Sequence, residues 1–230
     1  MIRKKIVVLT GAGVSAESGL RTFRDSDGLW EEHRIEDVAS PLGWKRNQQL
    51  VLDFYNQRRR DVLKAKPNAA HFAIAQLEEK FDVVVVTQNI DNLHERASST
   101  KVIHLHGEIF KSRSTVDYKL IYKCEGDILI GDKCEKGSQL RPFIVWFNEA
   151  VPMIEVAAKE VSSAELFIIV GTSLQVYPAA GLINYVHATV PKFLIDPKAP
   201  DVSFVRNITC IAKKASEGMS ELTDILLKKY

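Results

Sequence analysis

The runs Ile6-Val7-Val8-Leu9, Val83-Val84-Val85-Val86 and Leu166-Phe167-Ile168-Ile169-Val170 constrain this chain more than any other feature. Successive side chains of a strand point to opposite faces, so an apolar run without alternation has both faces buried. That is the habit of parallel strands sandwiched between helices. Strands are expected at 5–10, 82–87, 101–105, 165–170 and 192–196, with a further one at 208–211. Helices are expected at 13–18, 47–64, 68–80, 152–163, 178–189 and 215–229, with Asn68 placed after Pro67 as a cap. The expected fold class is α/β, an open parallel sheet with helices on both faces.

Ligands of such sheets collect beyond the carboxyl ends of the strands, so the residues that follow each run carry the functional reading. After the first strand comes TGAGVSAESGLRTFR, residues 10–24. Gly11, Gly13 and Ala16 match the G-x-G-x-x-A form of a dinucleotide loop, in which the backbone turns tightly and approaches an anion, and a following helix offers N–H groups to a pyrophosphate. A tight strand-to-helix turn is the alternative. A redox enzyme of this type continues into a second strand ending in an acidic residue, and none is visible here. Residues 21–44 are instead polar and read as irregular. A loop that closes over the nucleotide suits cleaving it better than drawing a hydride from it.

The second strand leads into TQNIDNLHERA, residues 87–97, which holds Gln88, Asn89 and Asp91. The third leads to His106-Gly107, and the fourth to GTSLQVYPAAG, residues 171–181, beginning Gly171, Thr172, Ser173. Caps and turns account for any one of these loops alone. His106 is the candidate base, since an imidazole exchanges protons near neutrality, with a structural hydrogen bond as the alternative role. His104 shares its strand face and can only support it. His33, His71, His94 and His187 have no comparable setting.

In the helix at 47–64, Val51, Tyr55, Arg58 and Val62 fall on one narrow face, while Arg60 points away. An arginine interrupts an apolar stripe there, and a guanidinium beside a phenol is shaped to hold a carboxylate. The alternative is a basic helix surface with Tyr55 packed beneath. From Glu108 to Leu140 the alternation of strands and helices breaks, which marks a small inserted module.

Composition adds limits. A formal charge of +2 argues for neither nucleic acid nor membrane as a partner, and no apolar run is long enough for a signal peptide or a membrane span. The three cysteines are scattered and make no disulfide framework, so a reducing cytoplasm is expected. No oligomeric state is assigned.

Together GAGVSAESGLRTFR, TQNIDNLHERA, HLHGE and GTSLQVYPAAG resemble the sirtuin family of NAD-dependent protein lysine deacylases, in the family's order and over nearly the whole chain. The resemblance implies a large Rossmann-like domain at 1–33, 66–107 and 146–230, and a smaller module over the cleft at 34–65 and 108–145. It implies that Ala12, Arg24, Gln88, Asn89, Asp91, Thr172 and Ser173 line an NAD site together with the glycines Gly11, Gly13 and Gly171. Phe23 would shield the reactive sugar, and Asn89 and Asp91 would orient water and the nicotinamide amide.

The implied chemistry consumes NAD rather than reducing it. The acyl oxygen of a modified lysine displaces nicotinamide, His106 deprotonates a ribose hydroxyl, and free lysine and O-acyl-ADP-ribose follow. The partners would be acyl-lysine-bearing proteins. Tyr55 and Arg58 match the Tyr-x-x-Arg pair of the bacterial-type branch that removes succinyl and malonyl groups, with acetyl-lysine as a further substrate. In relatives the stretch VWFNEAVP, residues 145–152, pairs with the substrate backbone as an added strand, which makes Val145 and Phe147 substrate-binding residues. Asn148 stands where the family writes glycine, and asparagine tolerates unusual backbone angles better than most residues.

The family's small module usually carries two Cys-x-x-Cys pairs around zinc. Here that region has only Cys124 and Cys134, with Ser114 and Gly137 where partner cysteines would stand. Zinc is therefore expected to be absent and the module to be held by Leu120, Ile121, Ile128 and Leu129. Three other classes stay open: a dehydrogenase sharing the glycine loop, a mono-ADP-ribosyltransferase, and a non-catalytic reader of acyl-lysine.

Overall fold

The computed structural model describes residues 3–21, 29–30 and 33–230, so Phe23 and Arg24 lie outside the described residues. β1 (Lys5–Thr10) runs into a single helical turn, α1 (Gly13–Ala16). A short antiparallel pair, β2 (Leu29–Trp30) and β3 (His33–Arg34), leads to α2 (Ile35–Val38), α3 (Pro41–Arg46) and the long α4 (Gln48–Lys64). Next come α5 (Ala69–Gln76), a 3₁₀ turn at Leu77–Glu79, β4 (Asp82–Thr87), α6 (Leu93–Arg96) and β5 (Val102–His104). β6 (Gly107–Ser114), β7 (Ile121–Lys123) and β8 (Leu140–Ile144) form a separate antiparallel sheet. The chain then returns through α7 (Ile154–Ser162), β9 (Leu166–Val170), a 3₁₀-helix at Ala179–Tyr185, β10 (Lys192–Ile195), β11 (Ile208–Ile211) and α8 (Ala215–Lys229).

The large sheet has six strands in the order β11-β10-β9-β1-β4-β5, all parallel. Its unbroken apolar runs are buried on both faces. Ile6, Val8, Val83, Val85, Ile168 and Val170 pack against α5 and α8 through Ile74, Met219 and Leu222. Val7, Leu9, Val84, Val86, Phe167 and Ile169 meet α7 and the 3₁₀-helix through Val161 and Leu182. Each such side chain contributes about 1.5–3 kcal/mol on burial, so these runs dominate the stability of the sheet. The strand order reverses at β1, which puts the crevice of the fold at the carboxyl ends of β1 and β9.

Three expectations need correction. The stretch 21–44 is not wholly irregular: α2 and α3 are short helices, and Ser40 caps α3 by accepting the Gly43 N–H at 2.9 Å, with Pro41 next in its first turn. That Ser-Pro start is a helix signal in its own right. The helix expected at 13–18 is one turn, and the one expected at 178–189 is a 3₁₀-helix.

The small module is also held differently from the expectation. Ile128 is 3% exposed, but Ile121 and Leu129 are 42% and 56% exposed and Leu120 is only half-buried. Ile109 and Ile144 join an apolar cluster with Val51 and Val62 of α4, and polar side chains of the same helix add directed ties. Asn56 accepts the Ile128 N–H at 2.9 Å and donates to the Ile128 carbonyl at 2.9 Å, as a neighbouring strand would. Arg59, 1% exposed, donates to the carbonyls of Ile109 at 2.9 Å and Gly126 at 3.1 Å. Arg60 pairs with Asp127 at the surface.

Candidate active site

Strand ends from both halves of the large sheet open into one cavity of about 810 Å³. Its wall includes Gly11, Ala12 and Gly13 after β1, Gln88, Asn89 and Asp91 after β4, His106 after β5, and Gly171, Thr172 and Ser173 after β9. Tyr55 and Arg58 of α4 and Val145 and Phe147 beyond β8 complete it. The described residues expected for the NAD site, the base and the substrate groove thus meet at one place.

The glycine loops are locked together. Gly13 N–H donates to the Gly171 carbonyl at 2.8 Å, and Gly11 N–H to the Val170 carbonyl at 3.1 Å. Gly171 has φ +61°, and a Cβ there would lie 2.4 Å from Val14 N, so no other residue fits. The amides of Gly11 and Gly13 are thus taken by Val170 and Gly171, and those of Val14 and Ser15 by Gly11 and Ala12 within the turn. The helix start therefore does not supply the row of open N–H groups that the motif suggested, because α1 closes after a single turn.

Beneath the loop lies a polar cluster. Ser15 donates to Asp91 Oδ2 at 3.0 Å, and the Asn89 side-chain amide donates to Ser15 Oγ at 3.2 Å and to the Gly11 carbonyl at 3.1 Å. Asp91 also accepts the Leu93 N–H at 3.1 Å. Burial raises the Asp91 pKa above the usual carboxylate value, with the hydrogen bonds from Leu93 and Ser15 and the charges of His104 and Arg58 opposing. Gln88 Nε2 donates to Thr172 Oγ1 at 3.1 Å and so joins the loops after β4 and β9.

His106 sits where the two sheets meet. Its Nδ1 is 3.0 Å from the Gln88 carbonyl, which can only accept, so Nδ1 carries the proton and neutral Nε2 is left as the acceptor. Burial lowers its pKa, partly offset by that hydrogen bond, which keeps the ring neutral at neutral pH. Its own carbonyl accepts the Val145 N–H at 2.9 Å, and Gly107 follows at φ +84°, where a Cβ would stand 2.0 Å from the Phe143 carbonyl oxygen. His104 repeats the pattern on Asn89: Nδ1 lies 3.0 Å from its carbonyl and Nε2 2.7 Å from Glu95. Burial pulls the His104 pKa down, but the Glu95 contact outweighs it and the net shift is upward.

On α4, Val51, Tyr55, Arg58 and Val62 are all buried, as the helical spacing required. Arg58 donates to the Arg21 carbonyl at 3.0 Å, and its charge is felt by both Tyr55 and Asp91. Burial pushes the Tyr55 phenol well above its ordinary pKa, so it remains a proton donor. Asn148 adopts φ +68°, the left-handed backbone that glycine otherwise supplies. Cys134 Sγ lies 3.4 Å from Ser114 Oγ and 3.2 Å from Ser138 Oγ, and Cys124 is half-buried near the Gly126 carbonyl. Among the described residues, no group of three or more His, Cys, Asp or Glu is placed to hold a metal.

Several wall residues escaped the sequence reading. Asp196 and Lys198 follow β10, and the rule applied to four strand ends would have found them at the fifth. Lys214 and Trp146 also line the cavity, and Ser15 is the hub of the cluster below it. His71 and His94, set aside in the sequence, pack at a tilt with 4.8 Å between ring centroids beside that hub.

A parallel sheet with paired glycine loops at its switch point and a neutral histidine at its edge defines a nucleotide-binding α/β protein. The Sir2 family pattern matches residues 11–178. A protein of Helicobacter pylori (strain ATCC 700392 / 26695) called NAD-dependent protein deacylase is 52% identical over 225 residues, covering 98% of each chain. One of the same name from Bacteroides thetaiotaomicron is 51% identical, covering 97% of this chain and 98% of that one. The crystal structure of a Sir2 homolog–NAD complex superposes with a TM-score of 0.89 at 40% identity, covering 99% of this chain and 91% of that one. The chain belongs to the Sir2 family.

Proposed function

We propose that this chain is an NAD-dependent protein lysine deacylase that removes succinyl and malonyl groups, and acetyl groups as well. The observation that carries the reading is His106, with Nδ1 tied to the Gln88 carbonyl and Nε2 left to take a proton, in the cavity that the glycine loops share. Relatives at about half identity bear the deacylase name, and a related structure holds NAD. A cavity of about 810 Å³ suits a dinucleotide and an extended side chain better than a small ligand alone.

NAD is a substrate in this reading, and its glycosidic bond to nicotinamide is the one that breaks. Gly11, Ala12, Gly13, Gly171, Thr172 and Ser173 hold it, Gln88 keeps the two loops in register, and Phe23 and Arg24 of the neighbouring segment belong to the same site. Asn89, its amide nitrogen committed to Gly11 and Ser15, offers its side-chain oxygen for orientation. Asp91 is braced by Ser15 beside it. His106 takes the proton of a ribose hydroxyl as that oxygen attacks the acyl carbon. Val145 and Phe147 lie along the peptide, and Tyr55 with Arg58 holds the carboxylate of an acidic acyl tail.

We also read residues 34–65 and 108–145 as the smaller of two modules and as free of zinc, tied instead through Asn56 and Arg59. No helix among the described residues is long and apolar enough to cross a membrane. The test is mass spectrometry of matched succinyl-lysine and acetyl-lysine peptides with and without NAD. His106→Tyr is expected to remove about 10²–10⁴-fold of the rate on both, the usual contribution of a positioned base. Arg58→Met is expected to spare acetyl removal and lose the succinyl preference. The kcat/KM profile is expected to fall only as pH drops below 6.5, since the His106 pKa is shifted downward. Intact acyl groups with intact NAD would refute the assignment.

A further inference from the structure

A phenol beside an arginine reads a carboxylate only if the phenol presents its proton, and a hydroxyl can rotate that proton to either side. Trp146 removes the choice for Tyr55. Its indole Nε1–H, which can only donate, lies 3.1 Å from Tyr55 Oη. The oxygen therefore accepts on that side, and its own proton must go to a different atom. Both rings are buried, Tyr55 at 0% and Trp146 at 2% exposure, so water does not compete for the contact.

The indole is itself clamped. The Arg141 guanidinium lies 3.1 Å above its ring centroid. Arg141 donates to Glu149 through Nη1 at 2.8 Å and Nη2 at 3.0 Å, and to the Ile144 carbonyl at 2.8 Å. Glu149 closes the circuit by accepting the Trp146 backbone N–H at 2.9 Å. Arg113 stands 3.5 Å from the same carboxylate, so two buried guanidinium groups share one Glu149. The charges of Arg141 and Glu149 both act on Tyr55, in opposite senses, so this group is electrostatically coupled to the phenol it braces.

We propose that Trp146 is a specificity-determining positioning residue, whose indole N–H commits the Tyr55 hydroxyl to donate toward the carboxylate of an acidic acyl group. The inference rests on the carboxylate role given above to Tyr55 and Arg58. It places the acyl preference partly in a residue that need not touch the acyl group.

The readout is the ratio of kcat/KM for succinyl-lysine over acetyl-lysine peptide, in which general damage to the enzyme cancels. Trp146→Phe is expected to lower the ratio about fivefold, the factor for one uncharged hydrogen bond. In a Tyr55→Phe background the same substitution is expected to leave the ratio where Tyr55→Phe alone put it. Equal losses in both backgrounds, or an unchanged ratio with Tyr55 present, overturn the proposal. Benzothienylalanine at position 146 keeps the bicyclic ring under Arg141 and lacks only the N–H, so it gives the same answer if Trp146→Phe does not fold. A parent enzyme with a ratio at or below one fails earlier, before any variant is made, and removes the carboxylate reading together with this one.

Discussion

Two sheets of this molecule are held by different balances of apolar burial and directed hydrogen bonds. In the six-stranded sheet, the side chains of Val7, Val84 and Phe167 lie side by side with nothing to donate or accept, and beyond the strand ladder it is burial that holds them. In the three-stranded sheet, β6–β8, few apolar residues are covered, and Asn56 and Arg59 reach from α4 to capture the backbone of Ile109 in β6 and of Gly126 and Ile128 in the loop after β7. The first kind of cohesion is non-directional and tolerant of exchange among apolar residues. The second depends on single atoms, and losing one strands a buried partner.

The sharpest way to break this contrast is Arg59→Met. It removes three hydrogen bonds, to Asn56 and to the carbonyls of Ile109 and Gly126, and leaves the carbonyl of the fully buried Ile109 without that partner. A loss of about 4 kcal/mol is expected. Hydrogen exchange should quicken in β6–β8 while β1, β4 and β9 stay protected; uniform loosening would contradict the division.

A smaller effect comes from acid, and it falls on the other region. Burial pushes the His71 pKa down to about 4, against 6.5 for an exposed imidazole, and His94 moves the same way. Between those values the unfolded chain binds more protons than the folded one, so stability falls as pH falls from 6.5 toward 4. His71 alone accounts for about 3 kcal/mol at pH 4. Melting curves against pH should show this slope, and His71→Gln should flatten it. Residues 108–145 contain no histidine, so exchange protection should fade around α5 and the glycine loop first.

The smallest expected effect is none. If the polar tethers replace a metal, a chelator leaves the melting temperature and the exchange of β6–β8 unchanged, and metal analysis finds no stoichiometric zinc. Zinc at one equivalent per chain would overturn the reading, because a structural zinc contributes strongly to folding.

The same contrast separates what could be read in the sequence from what could not. The strands at 5–10, 82–87 and 208–211 and the helices at 48–64 and 215–229 match the expected ranges within a residue, because each buries a pattern with a single period. The Asn68 cap is also as read, accepting the Ala70 N–H at 2.9 Å. In the site, the four loops are contiguous motifs at strand ends, and a parallel sheet brings such ends together whatever its details. Asp196 and Lys198 were missed only because the fifth strand end was not inspected. Ile121 and Leu129 misled, since apolar identity says nothing about whether a partner surface exists.

What the sequence determined by itself is the parallel sheet, the place of the cleft and the identity of the groups around it. These follow from local periodicity and from strand ends, which need no knowledge of distant contacts. The tertiary structure alone decided which nitrogen of His106 is held, by bringing Gln88 beside it across 18 positions. It alone decided that Arg59 is buried, and that Trp146 meets Tyr55 from 91 residues away. Hydrogen-bond direction and burial of charge depend on the partner that arrives, and only the folded chain brings it.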